Sequence, residues 1–203
     1  TYQEKHNYDN GEMNRDGSPQ NYSWNCGAEG PTNDPQIIAL REKQMRNFLL
    51  ALFLSQGIPL FLMGDEYGHT RNGNNNPYVQ DNETNWFLWN ELEKNQPIFN
   101  FTASLIAFRK KHPSHTRFLT PTDIHWHQTD WSATSRFIAF TLKDLYVAFN
   151  ANPHPFTIAL PDGSWHLLVN TNENWKSHFS QPKPIAQQFE LASYSAILAE
   201  RKS

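Results

Sequence analysis

Two neighbouring carboxylates, Asp65 and Glu66, follow the apolar run Ile58-Pro59-Leu60-Phe61-Leu62-Met63 and the turn residue Gly64. Beyond them lies an amide-rich loop, Gly73-Asn74-Asn75-Asn76-Pro77-Tyr78, with Asp81-Asn82 close behind. Amides donate and accept hydrogen bonds at once, which suits a neutral polyhydroxylated ligand. The competing reading of the same loop is turn geometry, because Asn tolerates left-handed backbone. Glycoside hydrolysis needs two carboxyls facing each other across the scissile bond, roughly 5–5.5 Å apart for retention of configuration. Adjacent residues at a strand end point to opposite faces. Asp65 and Glu66 are therefore expected to anchor the rim of a site rather than to act as nucleophile and acid. A second polar cluster opens the chain: His6 and Asn7, with Asn10, Glu12, Asn14, Arg15 and Asp16.

Other candidates carry less. His125 and His127 are two apart and would share one face of a strand, but two ligands do not make a zinc site. Cys26 is the single cysteine, so it forms no internal disulfide, and its expected role is a packed or loop thiol. Trp131, Trp165 and Trp175 could stack on sugar rings, with core packing as the competing role. No phosphate loop, dinucleotide fingerprint or nucleophile elbow is present.

These groups need elements to hold them. The chain has 203 residues, is 38% hydrophobic and 14% aromatic, and carries a net charge of -3 with mean hydropathy -0.70. A core is available. No basic field exists to hold a nucleic-acid backbone, and no apolar run of membrane-spanning length or signal-peptide pattern occurs, so neither nucleic acid nor membrane is expected as a partner. Residues 1–33 read as a long loop kept in order by Tyr2, Tyr8, Tyr22 and Trp24. A helix is expected from Asp34 as cap and Pro35 at its first position to an exit at Gly57. The continuous apolar run Ile58–Met63 reads as a strand covered on both faces, as in a parallel sheet. A second helix is expected from about Pro97 to Lys111, with Phe101, Leu105, Ile106 and Phe108 as its apolar stripe and Pro113 as its stop. Past His115, short runs at 124–128, 135–142, 145–151, 156–160, 165–170 and 193–200 alternate or are rich in β-branched and aromatic residues, separated by turn formers. They predict an antiparallel β-sandwich. The fold class is α/β followed by all-β, with domains at 1–113 and 114–203. One parallel strand cannot make a sheet, and the chain starts at Thr1, so a longer polypeptide or a processed product is expected.

The motifs Tyr2-Gln3-Glu4-Lys5-His6-Asn7, Asn14-Arg15-Asp16-Gly17, Asn21-Tyr22-Ser23-Trp24-Asn25-Cys26-Gly27, Gly64-Asp65-Glu66-Tyr67-Gly68-His69-Thr70 and Gly73-Asn74-Asn75-Asn76 together resemble isoamylase-type debranching enzymes of glycoside hydrolase family 13. The likeness is dense to about Pro113 and looser through Asp130-Trp131-Ser132 and Tyr146-Val147-Ala148-Phe149-Asn150. It implies the terminal part of a (β/α)8 barrel followed by a β-sandwich, with Ile58–Met63 as the eighth strand. It implies a retaining hydrolase of α-1,6 branch linkages whose partners are branched α-glucan (glycogen, starch or limit dextrin) and the upstream barrel portion. No cofactor or metal is implied. The family's nucleophile, general acid and His-Asp pair belong to strands earlier in the barrel, and their motifs are not in this sequence. No catalytic residue is carried over, and the chain alone is expected to be inactive. Asn74, Asn75, Asn76, Tyr78, Asp81, His6 and Asn7 would border the substrate cleft, with Asp65 and Glu66 at its rim. The alternative is a non-catalytic carbohydrate-binding or structural β-domain. The expected compartment is the cytoplasm, or a plastid for a plant source.

Overall fold

A computed structural model describes residues 2–112, 119–174, 178–179 and 181–202. The chain divides into two compact units that interleave in sequence: Thr1–Glu42 with Leu60–Phe99, and Lys43–Pro59 with Asn100–Ser203. The expected boundary near 113 falls outside the described residues, as do Pro113 and Trp175.

In the first unit, residues 2–33 form no regular element beyond a 3-10 turn at Tyr8–Asn10. Side chains supply the order instead. The carboxylate of Glu29 accepts backbone N–H bonds from Gln3 and Glu4, both at 2.9 Å, and lies 2.9 Å from His6 Nε2. Arg41 donates to the carbonyls of Asn25 and Ala28. A buried carbonyl or amide without such a partner would be costly, so a long loop of this kind must satisfy itself from side chains. Helix α1 spans Pro35–Leu54 and is capped as its sequence predicts: Asp34 Oδ1 accepts from the N–H of Gln36 at 2.8 Å. A short helix, α2, covers Trp89–Lys94, and α3 covers Gln96–Lys111.

The stripe on α3 is Ile98, Phe101, Leu105 and Phe108, all buried, at a helical period. Ile106 is 38% exposed and lies off it. Arg109 closes the end of α1, donating from Nη1 to the carbonyls of Phe53 at 2.6 Å and Ser55 at 2.7 Å, and from Nη2 to Gly57. The Phe53 carbonyl is one that the helix end leaves without an intrahelical partner, those of Ser55 and Gly57 lie in the turn just beyond, and a guanidinium suits the negative pole of the helix.

One expectation is corrected. Ile58–Met63 forms no strand; Ile58 and Leu60 are 97% and 93% exposed. A buried parallel strand requires neighbours on both edges and layers on both faces. Among the described residues no such sheet forms around it, so Ile58 and Leu60 stay in solvent.

Among the described residues the second unit carries eight strands: β1 Ile124–Trp126, β2 Phe137–Leu142, β3 Leu145–Asn150, β4 Phe156–Ala159, β5 Ser164–Asn170, β6 Lys183–Pro184, β7 Gln188–Leu191 and β8 Ser195–Lys202. A six-stranded sheet runs β1-β2-β3-β8-β5-β6, and β4 pairs with β7 in a second sheet. Every pairing is antiparallel. The inner faces share one core: Phe137, Ala139, Tyr146, Ala148, Trp165, Leu167, Ile197 and Ala199 from the large sheet, and Ile158 and Leu191 from the small one. Within the large sheet small residues sit beside large ones, Ala199 opposite Tyr146 and Ala148 opposite Ile197, which leaves room for the larger side chains on the inner face. Val147, Val169 and Leu198 point the other way along their strands and are also buried. The central strands are thus covered on both faces. Strands β6 and β7 went unread in the sequence, because Pro182 and Pro184 and the polar Gln187, Gln188 and Glu190 disguise an alternation that only Phe189 and Leu191 carry.

Candidate functional site

The structure brings His6, Asn7, Asn74, Asn75 and Asn76 together in the first unit, and there the amides bond to each other. Asn7 is fully buried. Its Nδ2 donates to Asn75 Oδ1 at 2.9 Å and to the Asp16 carbonyl at 3.1 Å, while its Oδ1 accepts the backbone N–H of Asn75 at 3.0 Å. Asn74, also buried, donates from Nδ2 to Asn10 Oδ1 at 2.8 Å. Asp16 Oδ2 accepts from the side chains of Asn10 at 2.7 Å and Asn76 at 3.0 Å. Those bonds hold the Asp16 carboxyl below the usual carboxylate range, the Asn10 bond contributing most. His6 fixes the neighbouring turn by donating its backbone N–H to the Gly73 carbonyl at 3.0 Å. Gly17 is required here: its φ is +69°, and a Cβ on it would collide with Asn75 Oδ1. The result is a staple between residues 6–18 and 73–80, more than 50 residues apart in sequence.

Asp65 and Glu66 lie on a 3-10 turn, Asp65–Tyr67, rather than at a strand end. Each folds back on the turn: Asp65 Oδ2 accepts the Leu62 N–H at 3.2 Å, and Glu66 Oε2 accepts that of Gly64 at 2.8 Å. Desolvation raises the Asp65 carboxyl above its usual value, and the charge of Glu66 adds to this. Asp81 accepts the indole N–H of Trp86 at 2.8 Å, and Tyr78 is 77% exposed.

A concavity of about 550 Å³ in this unit is lined by Tyr67, His69 and Asn72 and by Asn82, Glu83 and Glu91. His69 Nε2 lies 3.0 Å from the Thr84 carbonyl, and the Tyr67 hydroxyl accepts the backbone N–H of Leu88 at 2.9 Å, so the two stretches are tied together. Tyr67 is buried and meets Phe87 edge-to-face at 4.9 Å. The cleft offers amides, a histidine and carboxylates over an aromatic floor, which suits binding of hydroxyl-rich ligands. Of the loop residues singled out from the sequence, Asn82 lines it, whereas His6, Asn7, Asp65, Glu66, Asn74, Asn75, Asn76, Tyr78 and Asp81 do not. The signal for its own residues was available in the turn glycines Gly64 and Gly68, which fold Tyr67 and His69 back over the loop.

Elsewhere, His127 Nε2 lies 3.0 Å from the Thr141 hydroxyl, and burial lowers its pKa, with His125 adding to the effect. Trp165 is buried in the sandwich and donates to the Pro161 carbonyl at 2.7 Å. Trp131 is 69% exposed. Among the described residues no group of three or more His, Cys, Asp or Glu could hold a metal ion, and no helix is long and apolar enough to cross a membrane.

Residues 124–198 match the family model described as isoamylase 1-3, C-terminal. The chain is 45% identical over 188 residues to "Isoamylase 1, chloroplastic" of Oryza sativa subsp. japonica, covering 85% of this chain and 23% of that protein. It is 51% identical over 214 residues to a glycogen operon protein GlgX homolog of Mycobacterium tuberculosis, covering 85% of this chain and 30% of that one. Among solved structures, a mutant pullulanase from Paenibacillus barengoltzii complexed with maltotetraose superposes with a TM-score of 0.61 at 25% identity, covering 85% of this chain and 26% of that one. The chain spans about a quarter of the length of the curated relatives it matches. Together these matches liken the chain to the C-terminal portion of isoamylase-type debranching enzymes, along most of its length to the relatives and over its sandwich to their C-terminal domain.

Proposed function

We propose that this chain is the C-terminal portion of a retaining glycoside hydrolase that cleaves α-1,6 branch linkages in glycogen or starch. The observation that carries the reading is the identity of 45% to 51% with isoamylase and GlgX relatives over 85% of the chain. The first unit would supply one wall of the glucan cleft. His69, Asn72, Asn82 and Glu83 would meet sugar hydroxyls, and the Asn7–Asn75 staple would hold that wall in shape. The exposed Tyr78 and Asn75, with Asp81 at the margin, would extend it, and Asp65 and Glu66 would fix the rim turn. The exposed side chains of Ile58, Leu60 and Met63 fit burial against an upstream barrel portion of the same polypeptide. The reacting carboxylates would belong to that upstream portion. The compartment would be the one in which the glucan is stored.

The test is a release assay for linear chains from glycogen and amylopectin, run on the purified 203-residue chain and on a polypeptide that adds the upstream barrel. The longer protein is expected to release linear chains and the 203-residue chain none. Release by the 203-residue chain alone would overturn the assignment of chemistry to upstream residues. No release by the longer protein would overturn the debranching reading.

A further inference from the structure

The second unit presents an aromatic corner that its core does not use. Trp126, on β1, pairs with Phe140 on β2 and meets its ring edge-to-face at 5.5 Å. Trp131, in the loop that follows, stands against Trp126 at 5.0 Å with the two indole planes 80° apart. Trp126 is 44% exposed and Trp131 69%. Burying these two indoles in a core would have been favourable, so their retention in solvent marks a contact surface.

The corner is built, not loose. Asp130 holds the loop by accepting the Ser132 N–H at 2.9 Å and its hydroxyl at 2.7 Å. The same bonds keep the Asp130 carboxyl ionised below the usual range. Next to Trp131 a pocket of about 320 Å³ is lined by Asp130, Ser132, Arg136, Phe137 and Phe149. A carboxylate and a guanidinium flanking an indole can take a vicinal diol from both sides: the acid accepts from the hydroxyls, and the five N–H donors of Arg136 give to them. An apolar face beside such a pair suits a pyranose ring, which is apolar on its C–H faces and polar at its edge.

We propose that Trp126, Trp131, Asp130 and Arg136 form a second α-glucan site on the β-sandwich, separate from the cleft of the first unit. The angle between the indoles selects the linkage class. A β-1,4 chain is flat and suits coplanar aromatics, whereas an α-1,4 chain curves and can lay successive rings on two planes set at an angle. The choice of glucan rests on the debranching reading; the presence of a sugar site on this face does not. Such a site would hold polymeric substrate without taking part in cleavage.

The experiment is titration of the full chain with β-cyclodextrin and with cellohexaose, followed by intrinsic tryptophan fluorescence and calorimetry. β-Cyclodextrin should bind and cellohexaose should not. Trp131→Ala should weaken cyclodextrin binding about tenfold or more, as for an exposed aromatic anchor, and Trp131→Phe should restore part of it. Trp131 lies outside the core, so its loss should leave the far-ultraviolet circular dichroism and the urea midpoint of unfolding unchanged. Cyclodextrin binding that survives Trp131→Ala and Arg136→Ala together would place the sugar elsewhere and overturn the inference. So would the absence of binding by a chain with native circular dichroism. Binding of cellohexaose with equal affinity would overturn the linkage argument. Each of these results leaves the debranching reading to its own release assay.

Discussion

Replacing Asn7 by alanine tests whether the amide staple, rather than a ligand, is what the Asn-rich loop is built around. The side chain is fully buried and makes three good bonds: to Asn75 Oδ1, to the Asp16 carbonyl and from the Asn75 backbone N–H. Truncation takes the partner from that N–H and from Asn75 Oδ1, while the Asp16 carbonyl keeps the Lys5 ammonium at 3.0 Å. A buried group left so costs about 1–3 kcal/mol. Reading only the Asn75 N–H, that loss speeds its hydrogen exchange between about fivefold and about 150-fold, at 1.4 kcal/mol per factor of ten. Amide exchange followed by NMR measures it directly. The Thr171 N–H, which donates to the Ala196 carbonyl within the second unit, serves as the control and should keep its wild-type rate. The variant Asn7→Asp separates the two halves of the staple. It keeps an acceptor for the Asn75 N–H but sets a carboxylate oxygen against two other oxygens, so it should not rescue exchange to the wild-type rate. If Asn75 exchanges within twofold of wild type in Asn7→Ala, the staple is not what orders the loop and the reasoning fails.

Three further outcomes are expected. Glu29, held down to about 2 chiefly by the Gln3 N–H bond and then by His6 and Asn25, has a folded value below its ordinary 4.5. Its stabilisation of the opening loop is therefore complete above pH 4.5 and lost as pH falls toward 2, so the Gln3 and Glu4 amides should lose exchange protection across that window. His178, buried against the Phe101 ring and pushed down to about 4 by burial and then by Arg46, favours its neutral form in the fold. Stability should be full above pH 6.5 and fall by roughly 3 kcal/mol as pH drops through 4, and His178→Phe should flatten the urea midpoint over that range. Trp165→Ala removes the largest side chain of the sandwich core and should cost about 3–5 kcal/mol in chemical unfolding, against less than about 0.5 kcal/mol for the exposed Trp131→Ala.

Much of this was legible in the residues. The cap at Asp34 and Pro35 placed the start of α1, and the repeat Phe101, Leu105, Phe108 placed α3, because caps and helical periods are local signals. The six runs after His115 each contain a strand, and turn formers separate them. The resemblance to debranching enzymes also came from motifs in order along the chain. By contrast, Ile58–Met63 carries the composition of a buried strand but stays exposed, since composition states what a segment needs and not whether its neighbours are there. β7 hid behind polar residues because a strand at the margin of a small sheet shows one apolar face only.

The amides of Asn7, Asn74, Asn75 and Asn76 mark the dividing line. The residues alone showed two polar loops rich in groups able to donate and accept, and showed Asp65 and Glu66, adjacent in the chain, to be poor candidates for a nucleophile and acid pair. Where those groups point followed from the packing of the folded chain. An Asn bonds equally well to a sugar hydroxyl, to water or to another Asn, and the choice depends on what the fold brings within 3 Å. Here residues 6–18 and 73–80 meet, and Asn7 is sealed against Asn75. The cleft is left to His69, Asn72, Asn82 and Glu83, whose convergence depends on the turn at Gly64 and on the Tyr67–Leu88 bond and not on any spacing visible along the chain.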